Sequence, residues 1–129
     1  MIAGEVRPDR QAVIRLVVRG PESASRCVEA VVDTGFNSYL TLPSDLVAEL
    51  GLQYLARGRA RLADGSVITT RYFRAEVEWD GQARPIRVLE AAGGPLVGMS
   101  LLYGCDLRIA VIDGGEVTIA LLAEPLSAR

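Results

Sequence analysis

Val31-Val32-Asp33-Thr34-Gly35 is the stretch on which the reading of this 129-residue chain turns. Two β-branched apolar residues run directly into an acid, a hydroxyl and a glycine. A buried strand that delivers a carboxylate onto a glycine-bearing turn holds that acid at a protein wall, where burial and neighbouring charges act on its protonation. Read by itself, the same tripeptide also fits a surface turn in which Asp caps backbone amides and Gly supplies an unusual backbone angle. The flanking sequence has to decide between the two.

Upstream, Arg26 to Asp33 alternates and then becomes continuously apolar at Ala30-Val31-Val32, which predicts a strand entering the core. Gln11 to Arg19 is rich in β-branched residues and stops at Gly20-Pro21, a second strand closed by a turn. Residues 1–7 are expected to add a peripheral strand. Downstream, Ser38 to Leu42 reads as a short strand, and Pro43 to Gly51 as a short helix with Pro at its start, acid in its first turn and Gly at its end. Leu46, Val47 and Leu50 fall on one face of that helix, so it is expected to pack on the sheet.

From Tyr54 to Glu90 the pattern predicts consecutive hairpins, because Asp64-Gly65 and Asp80-Gly81 are strong tight-turn signals between β-prone segments. The first hairpin carries Arg57, Arg59, Arg61, Arg71 and Arg74, which predicts a solvated projection; contact with a substrate chain is the other use for these charges. After Ala91-Ala92-Gly93-Gly94-Pro95 comes Leu96-Val97-Gly98, then a short helical turn ending at Gly104. This echoes the first half and predicts a degenerate internal duplication in which Gly98 stands where a second acid would otherwise be. A last hairpin is expected from Leu107–Ile112 against Glu116–Leu121, with fraying from Glu124. The chain is therefore expected to be one all-β domain, residues 1–129, with two short helices.

Composition narrows the chemistry. Histidine is absent, so there is no Ser-His-Asp or Cys-His nucleophile pair and no imidazole base. Any proton transfer falls to carboxylates. Fourteen basic and sixteen acidic residues nearly cancel, and the arginines are scattered among acids, which argues against a nucleic-acid partner. Cys27 and Cys105 are expected to be two small buried hydrophobes rather than a redox or metal motif. No oxygen-ligand loop gathers the aspartates, so neither a metal nor another cofactor is expected. No stretch approaches a membrane span, and the start lacks the basic and apolar regions of a signal peptide, so no membrane partner and a cytoplasmic location are expected.

The ordered set Val31-Val32-Asp33-Thr34-Gly35, a hairpin tipped by Asp64-Gly65, and Leu96-Val97-Gly98 before a short helix resembles the retroviral-type (retropepsin-like) single-domain aspartic proteases and their bacterial relatives, over residues 11 to 104. That resemblance implies a closed β-barrel of the acid-protease fold acting as a homodimer on a peptide or protein substrate. It implies that Asp33 is catalytic, that Thr34 hydrogen-bonds across the two-fold axis, and that Gly35 lets an amide approach the carboxylates. It further makes Asp64 and Gly65 the tip of a flap, and Leu96, Val97 and Gly98 the second core loop. One chain offers one such acid, so a second Asp33 has to come from an identical partner. Two features depart from the family: bulky Phe36 follows Gly35, where it either fills core or narrows a substrate pocket, and a C-terminal hairpin replaces a single terminal strand. Two other readings compete: a peptide- or protein-binding module of the same fold in which Asp33 is not catalytic, and a structural barrel with no site.

Overall fold

A computed structural model describes residues 1–61 and 64–123. Its frame is set by the three strands with the clearest β patterning. β1 (Ile2–Val6), β2 (Ala12–Arg19) and β3 (Ser25–Val32) follow one another as antiparallel neighbours, Gly4 opposite Ile14 and Leu16 opposite Val28. Alternation along β2 and β3 places Ile14, Leu16, Val18, Val28 and Ala30 in the core. The same alternation turns Cys27 outward between buried Val28 and exposed Arg26. It is exposed, against the expectation of a buried hydrophobe, whereas Cys105 is half-buried against the core; both are free thiols.

β4 (Leu40–Leu42) leads through Pro43 into α1 (Ser44–Leu50). Proline supplies the extended residue before the helix, and Gly51 closes it in the left-handed region at φ 63°. The Gly51 and Leu52 amides donate to the carbonyls of Ala48 and Val47, satisfying the carbonyls left over at the helix end. Val47 and Leu50 are buried against the sheet and Leu46 partly so.

β5 (Gln53–Arg61), β6 (Val67–Trp79) and β7 (Gln82–Glu90) form the two expected hairpins. In the second, Trp79 faces Gln82 across Asp80-Gly81, both with positive φ (53° and 82°), the two-residue turn whose twist suits a hairpin. β8 (Leu96–Val97) and α2 (Met99–Leu102) follow, and β9 (Cys105–Ile109) pairs antiparallel with β10 (Glu116–Leu121). That last hairpin starts and ends earlier on its first arm than the apolar run Leu107–Ile112 predicts. The Ala110 amide still donates to the Glu116 carbonyl, but Val111 and Ile112 belong to the connecting loop and are exposed. The expected fraying from residue 124 lies outside the described residues.

All ten strands join one sheet in the order β5-β6-β7-β4-β8-β3-β2-β1-β10-β9, and β2 also pairs with β6, Val18 opposite Val77. The pairings β6-β7-β4-β8-β3-β2 thereby return on themselves, and side chains from these strands, from β1 and β10 and from both helices make up the main core. β1 is not peripheral as expected: it lies between β2 and β10, its last residue, Val6, buried. The appended β9–β10 hairpin gives it the second neighbour that makes it an interior strand. The protein is mainly β with two short helices, as expected.

Candidate functional site

Asp33 leaves the end of β3 half-buried, while Thr34 and Gly35 are exposed. β3 runs parallel to β8, Val31 beside Leu96 and Val32 beside Val97, and the Asp33 amide continues this ladder by donating to the Val97 carbonyl at 2.9 Å. The chain then turns sharply. The Gly35 amide donates to Asp33 Oδ1 at 3.0 Å, and the Phe36 amide to the Asp33 carbonyl at 3.1 Å. The carboxylate is thus steered by its own turn, and its position is fixed by a strand that belongs to the core.

The segment after the turn is stitched to the start of α2. The Met99 amide donates to the Phe36 carbonyl at 2.8 Å, the Ser100 amide to Ser38 at 3.1 Å, and the Gly98 amide to Tyr39 at 3.0 Å. Ser100 Oγ donates to the Asn37 carbonyl at 2.6 Å. Gly98 is required by this approach: a Cβ there would sit 2.2 Å from the Ser38 carbonyl oxygen and 2.6 Å from the Phe36 ring. Thr41, buried within β4, accepts a 2.8 Å bond from the Leu96 amide and so fastens β4 to the strand beside Asp33. The structure therefore brings Asp33, Leu96, Val97 and Gly98 together.

The internal repeat is present in a different alignment. β4 and β8 lie antiparallel at the centre, Leu40 opposite Val97, each leading into a short helix, and each has a parallel outer neighbour, β7 for β4 and β3 for β8. The Asp33 amide donates to Val97, and correspondingly the Ala91 amide donates to Leu42 at 3.0 Å. Ala91-Ala92-Gly93 thus occupies the place in the second half that Asp33-Thr34-Gly35 occupies in the first, with the same progression from half-buried to exposed. Gly98, expected to stand where a second acid would be, is instead the counterpart of Pro43 and lies abreast of Asp33. The reason is that each repeat holds two consecutive apolar strands, and apolar pairs followed by a helix do not say which is which. The second position carries no acid in either alignment.

The hairpin β5–β6 packs down beside this turn. Phe36 is only 1 % exposed and forms a second hydrophobic cluster with Ala60 and Leu89, against Ile68, Tyr72 and Leu96. Its ring is core, seated between the Asp33 turn and the hairpin. At the hairpin end Asp64 Oδ1 accepts from the Ser66 amide (2.8 Å) and hydroxyl (2.6 Å), which holds its carboxyl below the usual range, and Gly65 takes φ 87°. Asp64 and Gly65 are exposed, and among the described residues no hydrogen bond joins them to Asp33.

Between the hairpin and residues 37–39 lies a cleft of about 570 Å³, lined by Arg59, Arg61, Arg87, Tyr72, Asn37 and Ser100 among others. Arg57, Arg59, Arg61, Arg71 and Arg74 are all exposed, as expected of a solvated hairpin, but Arg59 and Arg61 also face this cleft. Arg71 forms a two-pronged bond to Glu90, both contacts at 2.7 Å. Thr41 and Arg87 were not singled out from sequence. A hydroxyl between two leucines in a buried strand is a signal that could have pointed to Thr41, since it needs a partner there; Arg87 has no local signature, as its place in the cleft follows only from the β6–β7 register.

Among the described residues no group of three or more His, Cys, Asp or Glu is placed to hold a metal ion, and no helix is long and apolar enough to cross a membrane. The arrangement places one steered carboxylate on an open turn beside the hairpin; the cleft is lined by residues 37–39 that follow this turn, not by Asp33 itself. Comparison with protein-family models and with curated proteins finds no match for this chain.

Proposed function

We propose that the protein is a homodimeric aspartic endopeptidase of the retropepsin-like kind, in which two copies of Asp33 meet on a two-fold axis within the acid-protease barrel fold. The observation that carries the reading is the setting of Asp33: a carboxylate at the end of a core strand, fixed by the Val97 carbonyl and receiving the Gly35 amide on a turn whose outer residues are exposed. The ring of pairings from β6 to β2 and the hairpin β5–β6 beside the turn support it.

Two carboxylates a few ångströms apart cannot both ionise at ordinary pH, so they share one proton and titrate as a pair. The ionised member takes a proton from water as that water attacks the peptide carbonyl; the protonated member donates to the carbonyl oxygen. The proton then passes to the leaving nitrogen as the tetrahedral intermediate collapses. The Gly35 amide keeps an Asp33 oxygen directed through these steps. Thr34, exposed beside it, is positioned in this reading to bond its counterpart in the other copy.

Asp33→Asn tests the assignment. Peptide cleavage is expected to fall by at least about 10²-fold while the far-ultraviolet circular dichroism spectrum is retained. Unchanged cleavage would remove Asp33 from the mechanism.

A further inference from the structure

We propose that the cleft beneath the hairpin selects peptides bearing acidic side chains. The proposal deepens the proteolytic reading and rests on it for the fate of the bound peptide, but recognition itself rests on the cleft.

The chain as a whole is slightly acidic, with a formal net charge of -2. The cleft is the reverse: Arg59, Arg61 and Arg87 line it and, among the described residues, no acidic one does. Elsewhere several arginines meet carboxylates, as in Arg7 with Glu29, Arg19 with Glu78, Arg26 with Glu49 and Arg71 with Glu90, while Arg10, Arg57, Arg74 and Arg84 stand without such a partner, among the described residues, on other parts of the surface. Among the described residues the three cleft arginines have no carboxylate within ion-pair distance. A concave site lined by one sign of charge concentrates ligands of the other, even on a protein of opposite net charge.

Two of these guanidinium groups are pre-placed. Arg87 lies over the Tyr72 ring, 5.5 Å from its centre, and the Tyr72 hydroxyl donates to the Arg59 carbonyl at 3.2 Å. Arg61 Nη1 reaches the Gly65 carbonyl at 3.4 Å, which holds it near the hairpin end. A planar guanidinium so held presents paired N–H groups that match a carboxylate. The occupant is a peptide because, among the described residues, β5 is the last strand of the sheet order and leaves one edge of its backbone unpaired, so an extended chain can add to it with side chains reaching the cleft. The aromatic rings lining the cleft, Tyr72 and Tyr39, on which a nucleic-acid base would stack, already carry Arg87 and Arg84 respectively.

The Asp33→Asn chain, immobilised and exposed to a randomised decapeptide library, separates recognition from cleavage. Asp and Glu are expected to be enriched at one or more positions, and a selected peptide should bind about tenfold tighter than its Gln/Asn counterpart, the discrimination given by one charge-assisted hydrogen bond. Replacing Arg61 and Arg87 together by Gln should abolish that preference, and salt at about 0.5 M should weaken it. Arg108→Gln, at a residue paired with Asp106 on β9, should leave it intact. Absence of acidic enrichment, or enrichment that survives the double substitution, overturns the proposal. So does tighter binding of a fluorescein-labelled oligothymidylate that is lost in the same double variant. Cleavage of the same library by the unmodified chain reads the protease assignment separately: cleavage without acidic preference sinks only the cleft proposal, and acidic binding without cleavage sinks only the protease.

Discussion

At the scale of single residues, the environment of Asp33 depends on a glycine that carries no chemistry. Gly98 lets the backbone of α2 close against Ser38 and Phe36, and the space a methyl group would need is occupied by a carbonyl oxygen 2.2 Å away. Backbone cannot step aside as a flexible side chain can. Gly98→Ala is therefore expected to destabilise the fold by about 1–3 kcal/mol, the usual cost of forcing atoms into a packed region, read as a lower urea midpoint with unchanged slope. Full stability in that variant would show that residues 36–39 can move away from α2. In the sequence Gly98 reads only as the place of a missing acid; the need for glycine there is not legible, because the Ser38 carbonyl comes from a segment sixty residues earlier.

At the scale of elements, Glu90 joins three of them. Its side chain, 12 % exposed, accepts from Arg71 on β6, while its own backbone ends β7 and its carbonyl accepts from the Thr70 hydroxyl. Hydrogen bonding by Arg71 is the largest influence holding the Glu90 carboxyl below its ordinary range; partial burial opposes it, and the Ser44 side chain at the start of α1 assists. A depressed folded-state pKa contributes stability above the ordinary glutamate range and loses it as pH falls through the folded value. Unfolding temperature should therefore fall on the acid side more steeply in the natural chain than in Glu90→Gln, with the two curves converging at low pH; parallel curves between neutrality and about pH 3 would show that the pair does not contribute. Turns and strands were legible because their signals are local: Asp80-Gly81 encodes its hairpin through two positive φ angles, and Ala30-Val31-Val32 announces a strand that reaches the core, with Ala30 buried and the two valines half-buried. Pairing order was not. Nothing in residues 1–7 tells that β10 will flank them, and nothing in Leu96-Val97 tells that their counterpart is β4 rather than β3.

For the whole molecule, the arrangement β7-β4-β8-β3 is a near-symmetric core in which only one of two corresponding turns bears an acid, Ala91 standing in the other. If catalysis needs two carboxylates, assembly supplies the second. Sedimentation under assay conditions is then expected to show a species of twice the 13.8 kDa chain mass, with specific activity that falls on dilution. A monomer at full activity would exclude the symmetric site. The hairpin meanwhile rests on Phe36 through Ala60 and Ile68, so the closed arrangement has its own internal occupant. Any ligand that needs the face of that ring first has to separate a packed apolar contact. For such a ligand the observed affinity would be the intrinsic affinity multiplied by the fraction of molecules in which that contact is open, so the size of the residue at position 36 would bear on ligand entry as well as on stability.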